Sequence, residues 1–253
     1  MNKPYYEDDQ VKLLHGDVNE QLKFIKSRSI DMIFADPPYF LSNGGITCHS
    51  GQMVAVNKAD WDQSDMTVDE KIKFNARWIK ACKRVLKDDG SIWISGTMHN
   101  IFMIGVCLEK LGFQIINNIT WQKTNPPPHL ARKAFTHSTE TVIWARKKGQ
   151  KNLFNYDLMK SMNNNKQMKD VWTFGLTKPS EKRFGKHPTQ KPLALLERII
   201  LASTQKKDLI LDPFSGSGTT GVAAKRLGRK YIGIDFEATY LDISIQRILN
   251  EEI

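Results

Sequence analysis

The sequence predicts an α/β fold built on a doubly wound, mostly parallel sheet, with one inserted segment. Three observations predict it. Short apolar runs alternate with helix-spaced amphipathic runs along most of the chain. A glycine-rich turn joins one apolar run to the helix after it. The alternation breaks once, at a basic and polar stretch, and then resumes. At 253 residues and 40% hydrophobic composition, the chain suffices for one such core plus the insertion.

In order, VKLLHGD (11–17) reads as a strand, VNEQLKFIKS as a helix and SIDMIFAD (29–36) as a buried strand with a continuous apolar run. A polar, glycine-containing stretch follows, over 41–65. TVDEKIKFNARWIKACKRVLK spaces Ile72, Trp78, Ile79, Cys82 and Leu86 for one helix face, and Thr67 with Glu70 forms a capping-box pattern. Lys87-Asp88-Asp89-Gly90 reads as the turn that ends it. SIWISG is then a strand, IFMIGVCLEKLG a helix closed by Gly112, and FQIINNITWQK and TETVIWARK strands. Beyond the basic stretch come helix PLALLERIILAST, strand DLILDPF, helix TGVAAKRLG, strand KYIGIDF and helix ATYLDISIQRILNEE.

Residues 147–185 have no clean period and are expected to lie outside the core sheet, dividing a catalytic domain into 1–146 and 186–253. The charge is concentrated there. Residues 146–191 hold 12 basic and 3 acidic side chains, leaving 25 and 24 for the rest of a chain with net charge +10. A localised excess of this kind suits a nucleic-acid phosphate backbone, although lysine-rich loops are often only solvated.

Other classes are excluded by what the chain lacks. It has no run of 18 apolar residues, and MNKPYYEDDQVK is not a signal peptide, so a cytoplasmic protein without membrane attachment is expected. Cys48, Cys82 and Cys107 show no paired spacing and the six histidines no helical ligand spacing, so neither a disulfide framework nor a metal is expected.

Two constellations carry chemistry. After LILD comes Pro213-Phe214-Ser215-Gly216-Ser217-Gly218-Thr219-Thr220-Gly221, a G-x-G-x-x-G turn, with Asp235 ending the next strand 19 residues after Gly216. Such a loop lets backbone approach a ligand at a helix N-terminus while the carboxylate takes ribose hydroxyls. By itself it fits a nicotinamide dinucleotide, as in an oxidoreductase, or S-adenosylmethionine, and a ligand-free turn can share its residues. No lysine follows where a phosphate-binding loop would need one.

The second is Asp36-Pro37-Pro38-Tyr39 at the end of SIDMIFAD. Two prolines stiffen the chain and remove two donors. A carboxylate, the Pro37 carbonyl and an aromatic ring then face one spot, which suits a flat base bearing an exocyclic amino group. Asp36 and the Pro37 carbonyl would each accept one amino hydrogen, returning the lone pair to nitrogen, and Tyr39 would stack on the ring. An Asp-Pro turn over a buried tyrosine is the plainer alternative.

Together, DPPY and FSGSGTTG resemble the amino-methyltransferases of DNA. The resemblance implies a Rossmann-like methyltransferase fold, with the glycine loop binding S-adenosylmethionine and the tetrad holding a flipped base. DPPY is similar to adenine N6 members, whereas cytosine N4 members usually begin the tetrad with serine. The order of DPPY, basic segment, HPTQKP (187–192) and glycine loop resembles the permuted β group. Length, order and the TWQKTNPPP segment (120–128), which edges the target pocket in that family, are similar to second methyltransferases of DpnII-like restriction–modification systems, which act at GATC. Carried over by position, the resemblance implies cofactor contacts at Lys191, Pro192, Asp212, Phe214, Gly216, Gly218 and Thr219. It also implies Asp235 on the ribose and Asp17 near the adenine, where a helix-capping role for Asp17 is an equal alternative. DNA, double- or single-stranded, is the expected partner. Lys166, Lys169, Lys182 and Arg183 are candidate DNA contacts in an inserted target-recognition segment, and a homodimer is a further expectation.

Overall fold

The structure is a computed structural model describing residues 3–40, 46–49, 52–55, 66–185 and 187–250. The chain opens with β1 (Tyr6–Glu7), β2 (Val11–His15), α1 (Val18–Lys23) and β3 (Ile30–Ala35). A two-stranded antiparallel ribbon, β4 (Ile46–His49) with β5 (Gln52–Ala55), falls in the polar stretch 41–65, whose remaining residues lie outside the described ones. α2 (Val68–Val85) begins at the expected capping box, in which Thr67 Oγ1 accepts from Glu70 N and Thr67 N donates to Glu70. Next come β6 (Leu86–Gly96), α3 (Ile101–Lys110), β7 (Phe113–Lys123) and β8 (Thr139–Lys147). The basic stretch contributes α4 (Tyr156–Ser161), β9 (Val171–Phe174) and a 3-10 turn at Pro179–Lys182. The chain closes with α5 (Leu193–Ser203), β10 (Leu209–Asp212), α6 (Thr219–Arg226), β11 (Lys230–Asp235) and α7 (Ala238–Leu249).

Nine strands form one sheet in the order β1-β2-β11-β10-β3-β6-β8-β7-β9. β2, β11, β10, β3 and β6 are parallel, so their carboxyl ends share one edge. β8 runs antiparallel to both β6 and β7, and β9 parallel to β7. Alternation along the strands sends neighbours to opposite faces. Phe34, Trp93 and Tyr231 pack with α5–α7 on one face, while Ile33, Ile92 and Ile94 pack with α1–α3 on the other. β3 and β10 are adjacent, yet the helices that follow them, α2 and α6, cover opposite faces. A crevice opens where neighbouring connections diverge in this way, and it is where open α/β sheets bind ligands.

Two sequence expectations need correction. Residues 87–90 are not a turn, because β6 runs through them, with a register irregularity opposite Ile30 and Met32. Their polar groups are paired: Lys87 with Asp31 at 2.5 Å and Asp88 with Lys147 at 3.0 Å. Gly90 is required there, since a Cβ would sit 2.7 Å from the Asp31 carbonyl oxygen. Nor does 147–185 lie wholly outside the sheet. β9 is its ninth strand, anchored by buried Trp172 beside Trp93, and α4 inserts Met159 into the same core. Asn155 ties the segment to α5 by donating to Leu201 O at 2.7 Å and Thr204 O at 2.9 Å. Few apolar anchors among many polar residues hid this packing from periodicity. Among the described residues no helix is long and apolar enough to cross a membrane.

Candidate active site

β3 ends at Ala35, and the tetrad Asp36–Tyr39 leaves the sheet at its carboxyl edge. Asp36 is held by two donors: the Tyr39 hydroxyl on Oδ1, and Lys191 Nζ on Oδ2 at 2.6 Å. Tyr39 also reaches Ser95 Oγ at 3.2 Å and Glu140 Oε2 at 3.5 Å. Burial, then the Asp36 and Glu140 carboxylates, hold the Tyr39 phenol well above its ordinary pKa, so it remains a donor. Burial would lower the Lys191 pKa, but Asp36 and Glu140 outweigh it and raise the value. Lys191 Nζ stands 5.1 Å over the Tyr39 ring and 3.7 Å from Glu140, which itself pairs with Lys123 at 2.7 Å. The tetrad is therefore one corner of a charge network drawn from β3, β6, β7, β8 and the chain before α5.

The glycine loop follows β10. Asp212 Oδ1 accepts from Phe214 N at 3.0 Å and Oδ2 from Thr220 Oγ1 at 2.6 Å, closing the loop onto the start of α6. Burial pushes the Asp212 carboxyl up to about 7. The glycines have different reasons. Gly216 (φ +50°) lines the crevice, and a Cβ there would meet His187 at 3.1 Å. Gly218 serves packing, since its Cβ would meet Ser244 Oγ at 2.0 Å. Gly221 also serves packing, between Tyr231 and Ile248. Arg247 of α7 clamps the loop by donating to Ser217 O at 2.7 Å and Thr219 Oγ1 at 2.9 Å. At the end of β11, Asp235 accepts from Gly216 N at 2.6 Å and Glu237 N at 2.9 Å.

These parts line one cavity of about 210 Å³, which includes Asp17, the whole tetrad, His187, Phe214, Gly216, Asp235, Phe236 and Tyr240. A smaller space beside it is lined by Asp36, Lys191, Asp212, Thr219 and the loop serines. Asp17 caps α1 through Asn19 N and Glu20 N, as the capping alternative expected, and it lines the cavity. Pro192 is the cap residue of α5, directly after Lys191. The residues fit S-adenosylmethionine. Each Asp235 oxygen accepts one backbone N–H and keeps a second lone pair for a ribose hydroxyl. Phe236 lines the cavity yet is 66% exposed, offering an apolar face to a flat ring. Burial, then Lys191 and Arg247, lower the His187 pKa to about 4, so its imidazole faces the cavity uncharged near neutral pH.

A family model described as DNA methylase matches residues 30–246. The chain belongs to the DNA methylase family. It is 60% identical over 250 residues to the Type II methyltransferases M2.LlaDCHI of Lactococcus lactis subsp. cremoris and M2.DpnII of Streptococcus pneumoniae, covering 98% of this chain and 93% of each relative. It is 52% identical to M2.MboI of Moraxella bovis over 97% of this chain and 90% of that one. The expected kinship with second methyltransferases of DpnII-like systems holds. Among solved structures, the M1.HpyAVI–SAM complex superposes with a TM-score of 0.71 at 31% identity, over 95% of this chain and 99% of that chain. The cytosine-N4-specific PvuII DNA methyltransferase superposes at 0.79 with 20% identity, a likeness of fold. This DNA methylase is thus a site-specific methyltransferase that uses S-adenosylmethionine, and the dinucleotide alternative for its loop falls away.

The methylase brings Asp36, Tyr39, Lys191, Asp212, Gly216 and Asp235 together, but not the four basic candidates. Lys166 and Lys169 precede β9, four strands from β3 and so roughly 19 Å away at about 4.8 Å per strand. Lys182 follows β9 in the 3-10 turn, and Arg183 donates to Asn250 O at 3.1 Å beyond α7. Sequence reasoning missed Glu140, Ser95 and Arg247. Only Glu140, an acidic residue at the head of the apolar strand TETVIWARK, left a visible signal.

Proposed function

We propose that this enzyme transfers the methyl group of S-adenosylmethionine to adenine N6 within a short DNA sequence, GATC, as the modification arm of a restriction–modification system. The observation that carries the reading is that Asp36 of the tetrad and Asp235 of the ribose position line the same cavity. S-adenosylmethionine supplies an electrophilic methyl group on a sulfonium. The protein supplies the acceptors. Asp36 keeps a lone pair on each oxygen beyond those taken by Tyr39 and Lys191, and with the Pro37 carbonyl it draws the amino hydrogens out of the ring plane. The nitrogen lone pair is then available for attack, and no strong base is needed.

The DNA surface in this reading is the edge at the carboxyl ends of β7 and β9, where β8 begins. The connection 124–138 joins β7 to β8 there, carrying exposed Arg132 and Lys133 and a Phe135 that is 97% exposed. It is tied to the end of β9, where Thr124 N donates to Phe174 O and Leu176 N to Asn125 Oδ1. That link supports target recognition by 147–185. A cytoplasmic location and a homodimer belong to the same reading. The dimer is supported by exposed Phe102 and Val106 one turn apart on α3, and light scattering tests it. The function is tested by sequencing modified bases in DNA from a bacterium expressing the gene. N6-methyladenine at GATC is expected, whereas N4-methylcytosine or unmodified DNA would overturn the reading.

A further inference from the structure

The prolines of the tetrad create a structural problem. Pro37 and Pro38 have no N–H, and Phe40, which ends the segment, holds φ +57°, a left-handed conformation that costs a bulky residue energy. The sheet cannot fix this piece of backbone, so another group must. Asn100, fully buried before α3, donates from Nδ2 to Pro38 O at 3.0 Å. Its Oδ1 accepts from Asn75 Nδ2 at 2.6 Å, and Asn75 Oδ1 accepts from Trp78 Nε1 at 3.2 Å. All three side chains are fully buried.

The chain has one sense only. An indole N–H can only donate and a carbonyl oxygen only accept, so both amides between them are forced into a single orientation. Trp78 also meets Phe214 of the glycine loop edge-on, with centroids 5.3 Å apart, and Phe74, next to Asn75, meets Phe40 at 5.7 Å. α2 therefore touches both halves of the site from beneath.

We propose that Asn100 is a positioning residue for methyl transfer: through the chain Trp78–Asn75–Asn100 it fixes the Pro38 carbonyl, and with it the aim of Asp36 and the Pro37 carbonyl at the target amino group. This rests on the tetrad being the base site. The test is steady-state kinetics on the full-length enzyme with a DNA duplex carrying the target, alongside calorimetric titration with S-adenosylmethionine. Asn100→Leu keeps the number and branching of the side-chain heavy atoms and removes the donor. Its kcat should fall between about tenfold and a hundredfold, the range that a misplacement of order 1 Å costs, with cofactor Kd within about twofold of the parent. Asn75→Leu leaves the Pro38 bond and frees Asn100 to turn, so a smaller fall in kcat with the same unchanged Kd is expected. A purely structural role would lower the thermal midpoint and leave kcat per folded enzyme intact. Parent kcat in folded Asn100→Leu, or a loss of cofactor affinity as large as the loss of kcat, overturns the proposal. If Asn100→Leu does not fold, Asn75→Leu decides by the same two quantities. Asp36→Ala serves as the control. If it too retains parent kcat, it is the tetrad reading that has failed rather than the role of Asn100.

Discussion

Lys191 and Asp36, 155 residues apart in the chain, form a buried ion pair at 2.6 Å, with Glu140 as a second anion 3.7 Å from the same ammonium. The pair joins the segment before α5 to the tetrad after β3, and so sets the distance between the two halves of the site. Replacing Lys191 by Met leaves the buried Asp36 without its cation, while Glu140 keeps Lys123. Breaking a buried pair from one side costs about 3 to 5 kcal/mol, so urea denaturation should show a loss of that order. The folded-state pKa of Lys191 is raised, so the pair's contribution is complete below the unfolded value of about 10.5 and is lost as pH climbs through the folded one. Parent and variant should therefore differ by a constant amount across neutral pH.

The two carboxylates of the cavity should separate by function. Asp36→Ala removes the amino acceptor and should reduce kcat by about a hundredfold or more while cofactor affinity stays close to the parent. Asp235→Asn should do the reverse, weakening cofactor binding by about 1.5 to 3 kcal/mol, the worth of a hydrogen bond to a charged group. Calorimetry and single-turnover methylation on both variants check this, and equal effects on both quantities in either variant would contradict the division.

Tyr39 brings a hydroxyl as well as a ring to the site. Stacking on the base asks only for the ring, but the hydroxyl is bound to Asp36 and lies near Ser95. Tyr39→Phe should therefore cost roughly tenfold in kcat, through a loosened carboxylate. Tyr39→Ala should cost a further 1 to 3 kcal/mol, the usual worth of a base–aromatic stack. A Phe variant with parent kcat would return the residue to a stacking role alone.

His187 titrates in a way that stability can report. Its pKa is lowered to about 4, chiefly by burial, and Thr189 N donates to its Nδ1 at 3.3 Å. A histidine with a depressed folded pKa adds stability that is complete above the unfolded value of about 6.5 and lost as pH falls toward 4. His187→Gln should flatten that part of the stability–pH curve, measured as the difference from the parent between pH 7 and 4.

The alternation of strands and helices, the capping box at Thr67 and both motif-bearing turns were legible in the sequence because each is written in local spacing. The charge network was not. Glu140, Lys123 and Lys191 lie far apart in the chain and meet only once β8, β7 and the segment before α5 converge on β3. Asn75 sits on the buried face of α2, where a periodicity search expects an apolar residue, and it looks like a defect until Asn100 and Trp78 are placed beside it. β9 was missed because four residues with one buried tryptophan leave no period to read.

The structure separates the basic residues considered for DNA into three groups. Arg132 and Lys133 stand on the connection between β7 and β8 at the site's edge, Lys166 and Lys169 before β9, and Lys182 and Arg183 beside the ends of α5 and α7. Phosphate contacts lower log affinity by about 0.9 per contact for each decade of salt, so each group can be scored by its slope. Arg132→Gln with Lys133→Gln should reduce the slope by about 1.8 if both contact phosphates, because their connection leaves β7 at Lys123, a member of the charge network around Asp36. Lys166→Gln with Lys169→Gln should give a smaller reduction, since these residues lie roughly 19 Å out along the sheet, still within one duplex turn of about 34 Å. Lys182→Gln with Arg183→Gln should change the slope least, because Arg183 is already committed to Asn250 O and lies 4.6 Å over the Phe184 ring. DNA binding measured against salt for the three pairs ranks them directly. A largest effect from the Lys182 and Arg183 pair would move the DNA to the α5–α7 face, away from the opening beside Asp36.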